Sequence, residues 1–129
     1  MPEFYFAKAE RALASARLLL QDCDIEGACN RAYYAMLNAA HAALLEHRAG
    51  VNPAATHTHS GLIAAFGKHL VKTGIMAAEL GKVLNQVERI RLVADYTGEA
   101  IDAGKAAWVV DRAAAQHSYA KAVVLKTAS

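Results

Sequence analysis

Alanine is the feature of this sequence that most limits its fold: 30 of the 129 residues are alanine, against 8 glycines and 2 prolines. Alanine has the highest helix propensity and is depleted in strands, while glycine and proline, which interrupt helices, are few. Larger apolar side chains recur among the alanines at spacings of three and four residues, which places them on one side of a helix. The sequence therefore predicts an all-α protein.

Helical spacing is found in five segments, at residues 4–21, 25–47, 60–71, 75–93 and 102–126. Asp24, Ser60 and Asp102 stand at the start of three of these segments, where their side chains can accept hydrogen bonds from free backbone N–H groups. The second segment carries small side chains that let a neighbouring helix approach closely, at Ala32, Ala35, Ala39 and Ala43. Only residues 48–59 form a long connection, so we expect a five-helix up-and-down bundle in a single domain, 1–129.

Composition and charge exclude several classes of protein. A hydrophobic content of 55% excludes an intrinsically disordered chain, and a formal charge of +2 is too small to indicate nucleic-acid binding by itself. No apolar stretch approaches the roughly 18 residues that cross a bilayer. Since no secretory segment is evident at the start, Cys23 and Cys29 are expected to be reduced thiols in a soluble, cytoplasmic protein without membrane association.

A first polar cluster lies on the second predicted helix. Arg31, Tyr34 and Asn38 are spaced three and four residues apart and share one face. Because a guanidinium matches phosphate oxygens and an aromatic ring stacks on bases, this face could bind RNA or a nucleotide. The structural alternative is an arginine neutralised by a carboxylate, with tyrosines half-buried against a neighbouring helix.

A second cluster closes the fourth predicted helix. Arg91 and Asp95 are four residues apart and could simply form a surface ion pair. Arg89 lies seven residues, about two helical turns, before Tyr96, so those two side chains face the same way. This arrangement leaves Arg89 available to a ligand.

Cofactor and metal motifs are not evident in the sequence. It contains no Walker loop, glycine-rich dinucleotide turn, paired-cysteine site or nucleophile elbow, so we expect no cofactor. His57 and His59, with a helical His69, could bind zinc, but no cysteine or acidic ligand stands beside them. Solvated or capping histidines are the favoured interpretation, and no metal site is predicted.

Several blocks, in this order along the chain, resemble a known family. They are RAYYAMLNAA from Arg31, HSG from His59, FGKH from Phe66, TG from Thr73 and RLVADY from Arg91. Together they strongly resemble the HEPN domain (higher eukaryotes and prokaryotes nucleotide-binding), over nearly the whole chain from about Phe6 to Val124. The order of the blocks is far more specific than any one of them.

The resemblance implies a small helical bundle that forms a homodimer and has a role with RNA or nucleotides. Many HEPN proteins are metal-independent ribonucleases, or toxins paired with a nucleotidyltransferase-type antitoxin. Active members carry an arginine, then a histidine five to seven residues on, often with a tyrosine two positions later, and two copies meet at the dimer interface. On this chain the arginine falls on Arg89 and the tyrosine on Tyr96, while the histidine falls on Ala94. The neighbouring Asp95 replaces a general base of near-neutral pKa poorly.

Other histidines bear on the same question. Asn38 stands where related sequences often carry a histidine, whereas His59 matches a family block and could line the cleft. A literal Arg-x4-His-x-Tyr string does occur, at Arg112, His117 and Tyr119, but it lies about one helix too late. His117 is therefore an alternative catalytic residue.

Two hypotheses remain. The first is a HEPN toxin-type subunit of a toxin–antitoxin or defence pair, acting on or binding RNA, with Arg31, Arg89, Arg91 and Tyr96 around one cleft. Tyr96 would be the phenol modified by a nucleotidyltransferase partner. The second is a non-catalytic module that binds a nucleotide or a protein and hydrolyses nothing, which the missing histidines favour.

Overall fold

The computed structural model describes residues 2–47, 56–98 and 100–128. It contains five helices: α1 (Pro2–Gln21), α2 (Ile25–Glu46), α3 (His59–Phe66), α4 (Ala78–Thr97) and α5 (Ala103–Ala128). A π-helical turn, Gly67–Val71, extends α3. The described residues contain no strand, and the prediction of an all-α, HEPN-like bundle is confirmed.

Helix α2 is the centre of the bundle and packs against each of the other four helices. The small residues predicted along it are buried, which allows the backbones of α1 and α5 to approach closely. Larger side chains fill the remaining space between the helices, with Tyr33, Met36 and Leu44 from α2 meeting Phe66 of α3 and Leu84 of α4 in one core cluster.

Helix α2 begins as predicted, because Asp24 accepts a hydrogen bond from the Gly27 N–H at 3.0 Å. Asp102 likewise accepts from the Lys105 N–H at 2.7 Å at the start of α5. The prediction for α3 was wrong by two residues: the capping side chain is Thr58, which accepts from the Gly61 N–H at 3.0 Å, whereas Ser60 lies inside the helix.

Helix α4 differs most from the prediction. It begins at Ala78 rather than residue 75, because the chain after the break at Gly74 (φ 81°) continues as a bend through Met76, whose N–H donates to the Leu70 carbonyl. It ends at Gly98, whose left-handed conformation (φ 72°) lets its N–H donate to the Ala94 carbonyl. The helix therefore reaches Thr97 and includes the whole second polar cluster.

Helix α4 packs less extensively than α1 or α5. It contacts α2, α3 and the π-helical turn along one side and touches α5 only sparingly. Among the described residues, no helix is both long enough and apolar enough to cross a membrane.

Candidate functional site

Five side chains from three helices form a cluster between α2 and α4, which we call the tyrosine–arginine cluster: Arg31, Tyr33, Tyr34, His59 and Arg91. The Arg91 guanidinium lies over the Tyr33 ring, 4.7 Å from its centre, and the Arg31 guanidinium lies 5.3 Å from the centre of the Tyr34 ring. The two rings meet edge to face at 5.8 Å. Two arginines 60 residues apart in sequence are thus brought to one pair of tyrosines.

Tyr33 is the fully buried member of this cluster. Its hydroxyl donates to the Glu88 carboxylate at 3.4 Å. Burial, followed by the Glu88 carboxylate, raises the pKa of Tyr33 to about 12, which the Arg91 guanidinium partly opposes. The phenol therefore remains protonated at neutral pH, and Tyr33 acts as a rigid surface against which Arg91 rests.

Tyr34 and His59 form the accessible side of the cluster. Both are half-buried, and Arg31 is exposed. The His59 ring meets Tyr33 and Tyr34 edge to face, at 5.5 and 5.6 Å between ring centres. Because His59 is the first residue of α3, the Thr58 cap fixes the position of its backbone.

Asn38 is held by its own helix. Its side-chain amide donates to the Tyr34 carbonyl at 2.9 Å, one turn earlier in α2. Asn38 is therefore adjacent to the cluster in sequence and half-buried, with its N–H group committed to the backbone.

A cavity of about 300 Å³ opens beside the cluster and is lined by Tyr34, Arg91, Asn30 and Ile101, among others. Cys29 also lines it, and burial, with a smaller effect of Glu26, raises the pKa of this thiol to about 11. A thiol with so high a pKa is a poor nucleophile at neutral pH. The cavity thus offers a guanidinium, a phenol and an amide, groups suited to a phosphate or a base, alongside the Glu26 carboxylate.

Arg89 lies on the other side of α4, in a larger cavity of about 860 Å³ between α4 and the start of α5, which we call the α4–α5 groove. Lys82, Ile101, Lys105 and Trp108 line the same groove. Ala94 and Ile101 line both cavities, so the groove and the smaller cavity are neighbours. The structure therefore brings Arg91, and not Arg89, to the tyrosines that Arg31 contacts.

Tyr96 projects into solvent from the last turn of α4, with 84% of its surface exposed. The backbone of Asp95 is helical, but its side chain lies outside the described part of the structure, so its ion pair with Arg91 remains a prediction. Ala94 is half-buried, and no imidazole occupies this position.

His117 is buried between α5 and α1. Its ring meets Phe6 edge to face at 5.7 Å, and its Nε2 lies 3.5 Å from the Glu10 carboxylate, which also binds Lys121 at 2.9 Å. Burial lowers the pKa of His117 below its ordinary value of 6.5, an effect that Glu10 partly offsets. The contacts of this histidine are with α1 and α5, away from either cavity beside α4.

The remaining histidines are dispersed. His57 is exposed, and His41 stacks on Tyr5 at 4.1 Å. Within the described ranges, no group of three or more potential metal ligands comes together.

Glu88 and Trp108 were not assigned to these two sites from the sequence. A signal for Glu88 was present, because it stands three residues before Arg91 and that helical spacing gives the two a shared face. The sequence gave no signal for Trp108, because its position in the groove depends on the direction that α5 takes after its capping residue, Asp102.

Comparison with known proteins agrees with the all-α fold and with the HEPN resemblance. The HEPN domain model matches residues 2–126, and the chain belongs to the HEPN domain family. A UPF0332 protein of Gloeobacter violaceus is 35% identical over 91 residues, which make up 70% of this chain and 68% of that protein. A UPF0332 protein of Thermotoga maritima is 36% identical over 100 residues, 78% of this chain and 71% of the relative.

A third relative carries a functional name. A protein of Methanocaldococcus jannaschii named "putative toxin" is 34% identical over 89 residues, 69% of this chain and 63% of that protein.

Proposed function

We propose that this HEPN chain is the toxin-type subunit of a two-protein defence pair, and that it binds RNA, and acts on it, through the tyrosine–arginine cluster. The family, and the relative whose name is "putative toxin", support the general class. The observation that carries the RNA role is the stacking of Arg31 and Arg91 on two adjoining tyrosines beside an open cavity.

Each part of the cluster has a separate task in this proposal. Arg31 is exposed and binds a phosphate, while Tyr34, at the cavity wall, offers a ring to a base. Tyr33 and Glu88 are positioning residues: the buried Tyr33 ring carries Arg91, and Glu88 accepts a hydrogen bond from the Tyr33 hydroxyl. His59, whose ring contacts Tyr33 and Tyr34, supplies in this proposal the imidazole that Ala94 lacks.

The pairing with a second protein follows from the family resemblance. A nucleotidyltransferase-type antitoxin would transfer a nucleotide to Tyr96, where the phenol oxygen displaces pyrophosphate from a nucleoside triphosphate. The exposure of Tyr96 supports this role, since the hydroxyl can enter the active site of another protein. The added negative charge would oppose RNA binding nearby.

A second candidate function, a binding module without ribonuclease activity, is favoured by the missing histidines, at Ala94 and Asn38. Cleavage of RNA needs a group of near-neutral pKa to take the 2′-hydroxyl proton. The two candidates differ in one observable, which is cleavage of RNA in the presence of EDTA.

The experiment is a binding and cleavage assay with a labelled single-stranded RNA, at several salt concentrations. We expect Arg31→Ala to weaken binding by about tenfold and to reduce the slope of log K against log salt by about 0.7, the contribution of one phosphate contact. Arg17→Ala, which removes an exposed arginine of α1, is the matched control and should change neither quantity. Equal losses in both variants would contradict the assignment of the cluster.

Two further arms separate binding from chemistry. Arg91→Lys keeps the charge but loses the flat guanidinium that rests on Tyr33, so it should weaken binding without unfolding the protein. If the chain cleaves RNA in EDTA and His59→Gln abolishes the cleavage, the result would support a toxin with ribonuclease activity. If the chain binds RNA and does not cleave it, the result would support the non-catalytic binding module.

A further inference from the structure

A second group of aromatic side chains lies at the start of α1, outside the tyrosine–arginine cluster. We call it the α1 cluster: Phe4, Tyr5, Lys8 and His41. The Tyr5 ring stacks on the His41 ring of α2, with the ring centres 4.1 Å apart and the ring planes inclined by 13°. Phe4 meets Tyr5 edge to face at 5.1 Å. The stacked pair therefore attaches the first turns of α1 to the second half of α2.

Phe4 is the member of this cluster whose ring is most accessible to a ligand. It exposes 58% of its surface, whereas Tyr5 and His41 are half-buried. Burial, with a smaller effect of Lys8, lowers the pKa of His41 below its ordinary value of 6.5, so the folded state favours the neutral ring. Tyr5 and His41 thus support the cluster, and Phe4 presents an aromatic ring to solvent.

Lys8 places a positive charge beside this ring. Its ammonium nitrogen lies 5.5 Å from the centre of the Phe4 ring and 5.8 Å from that of Tyr5. Lys8 is exposed, and within the described ranges no carboxylate forms an ion pair with it. Glu3 stands five residues before Lys8, which places it about 140° away around the helix. An exposed ring beside an exposed cation suits single-stranded nucleic acid, with a base on the ring and a phosphate on the cation.

The exposed face of α2 joins the α1 cluster to the tyrosine–arginine cluster. Arg31, Tyr34, Asn38 and His41 follow one another at intervals of three and four residues, and each is exposed or half-buried. The residues between them, 32, 33, 35–37, 39 and 40, are buried. Since an α-helix rises 1.5 Å per residue, Arg31 and His41 are about 15 Å apart along its axis. The two clusters therefore lie at two points of one surface stripe.

A protein partner suits the α1 cluster less well than RNA does. Among the described residues of α1, the next large exposed apolar side chain after Phe4 is Leu18, which is about 21 Å further along the helix. A stable protein interface buries about 800 Å² on each side around an apolar centre, and one exposed ring does not supply such a centre. Stacking of a base needs only one ring.

We propose that the α1 cluster is a second contact site for the RNA strand that the tyrosine–arginine cluster binds. A base stacks on Phe4, and Lys8 binds an adjacent phosphate. Tyr5 and His41 are positioning residues, because they hold Phe4 and Lys8 beside the exposed face of α2. This site rests on the RNA role proposed above for the tyrosine–arginine cluster. A stacked strand advances about 3.4 Å per nucleotide, so an RNA that reaches both clusters has roughly six nucleotides or more.

The experiment measures the affinity of the full chain for fluorescein-labelled 2′-O-methyl oligouridylates of ten and of three nucleotides. The 2′-O-methyl group removes the attacking hydroxyl, so cleavage cannot affect the measurement. Ten nucleotides span both clusters, whereas three stacked nucleotides cover about 10 Å and reach only one. Circular dichroism establishes that each variant is folded.

Phe4→Leu removes the ring and keeps an apolar side chain, so it should weaken binding of the ten-nucleotide RNA by about tenfold. Phe4→Tyr restores a ring and should recover most of this affinity. Lys8→Ala should reduce the slope of log K against log salt by about 0.7, whereas Arg17→Ala, at another exposed cation of α1, should not. Arg31→Ala should weaken binding of both RNAs, and Phe4→Leu chiefly that of the longer one.

The outcomes separate the α1 cluster from the proposed function. If Arg31→Ala weakens binding while Phe4→Leu and Phe4→Tyr bind the ten-nucleotide RNA equally, the α1 site is overturned and the proposed function stands. If the chain with its natural sequence binds neither RNA, or Arg31→Ala has no effect, the proposed function fails and the α1 site with it. If light scattering shows a doubled mass that Phe4→Leu abolishes, Phe4 is a contact between copies of the chain and not an RNA site.

Discussion

At the scale of single residues, Tyr33 determines the geometry of the candidate site. Its ring is fully buried, so it cannot be a ligand-binding group, and its hydroxyl is committed to Glu88. What it provides is a flat surface for Arg91, 4.7 Å above the ring. Tyr34 is then the tyrosine that a ligand can reach, although the two are neighbours in sequence and identical in chemistry.

Tyr96 has the opposite environment, and this leads to a prediction about its modification. Co-expression with a nucleotidyltransferase encoded by an adjacent gene should add the mass of one nucleotide, because the exposed phenol is accessible to another protein. Intact-mass spectrometry measures this addition. Tyr96→Phe should abolish it, whereas Tyr119→Phe, at a second exposed tyrosine, should retain it. A mass gain that persists in Tyr96→Phe would assign the modification elsewhere.

Two histidines predict how stability depends on pH, the buried His117 and the half-buried His41. Burial lowers the pKa of each below the ordinary value of 6.5, so folding disfavours their protonation. Below that value the unfolded chain binds protons more readily than the folded one, and stability falls as pH falls. The melting temperature should therefore decrease between about pH 7.5 and about pH 5.

Substitution tests this origin of the pH dependence. His117→Leu should flatten the dependence, because it removes one of the two titrating groups, whereas Ser118→Ala at the exposed neighbouring position should not. Glu10 contributes only at lower pH, since its pKa is lowered, chiefly by Lys121, from an ordinary value of 4.5. An unchanged slope in His117→Leu would show that this histidine is not the source.

At the scale of helices, the capping residue of α3 determines which residue begins this helix beside the tyrosine–arginine cluster. Thr58 caps α3 and thereby fixes His59 next to the tyrosines, while Ser60 is exposed and lies one residue inside the helix start. Thr58→Ala should lower the free energy of unfolding by about 1 kcal/mol, and Ser60→Ala by a few tenths at most. Urea unfolding of the two variants gives the comparison. A larger loss in Ser60→Ala would mean that α3 begins later than the structure shows.

The helices differed in how well the sequence predicted them. Helix α2 was predicted nearly to the residue, because Asp24 is a strong local cap and the apolar spacing is regular over its whole length. The start of α4 was not, because the bend from Ile75 to Ala77 is held by a hydrogen bond from the Met76 N–H to Leu70, a contact that only packing creates. The start of α2 was thus predictable from a local capping residue, whereas the start of α4 depends on a tertiary contact.

At the scale of the whole molecule, α4 separates two candidate sites. One side directs Arg91 towards α2, and the other directs Arg89 towards α5. The sequence indicated the residue types of both sites, and the HEPN resemblance indicated their family. It could not indicate which arginine meets Tyr33, because the two lie only two positions apart and the rotation of α4 about its axis is set by burial of Val83, Leu84 and Val87.

The two cavities beside α4 are neighbours, because Ala94 and Ile101 line both of them. Arg31 contacts Tyr34 of the tyrosine–arginine cluster, so variants of Arg31 should affect RNA binding.

Growth of a bacterial host after induced expression tests the central claim, that this is a toxin-type chain acting through the tyrosine–arginine cluster. We expect the chain with its natural sequence to arrest growth and the double variant Arg31→Ala/Arg91→Lys to permit growth. The double variant must be expressed at an equal level and be folded by circular dichroism. Arg17→Ala should arrest growth as the unmodified chain does. Unimpaired growth with the unmodified chain, or arrest undiminished in the double variant, would contradict the account.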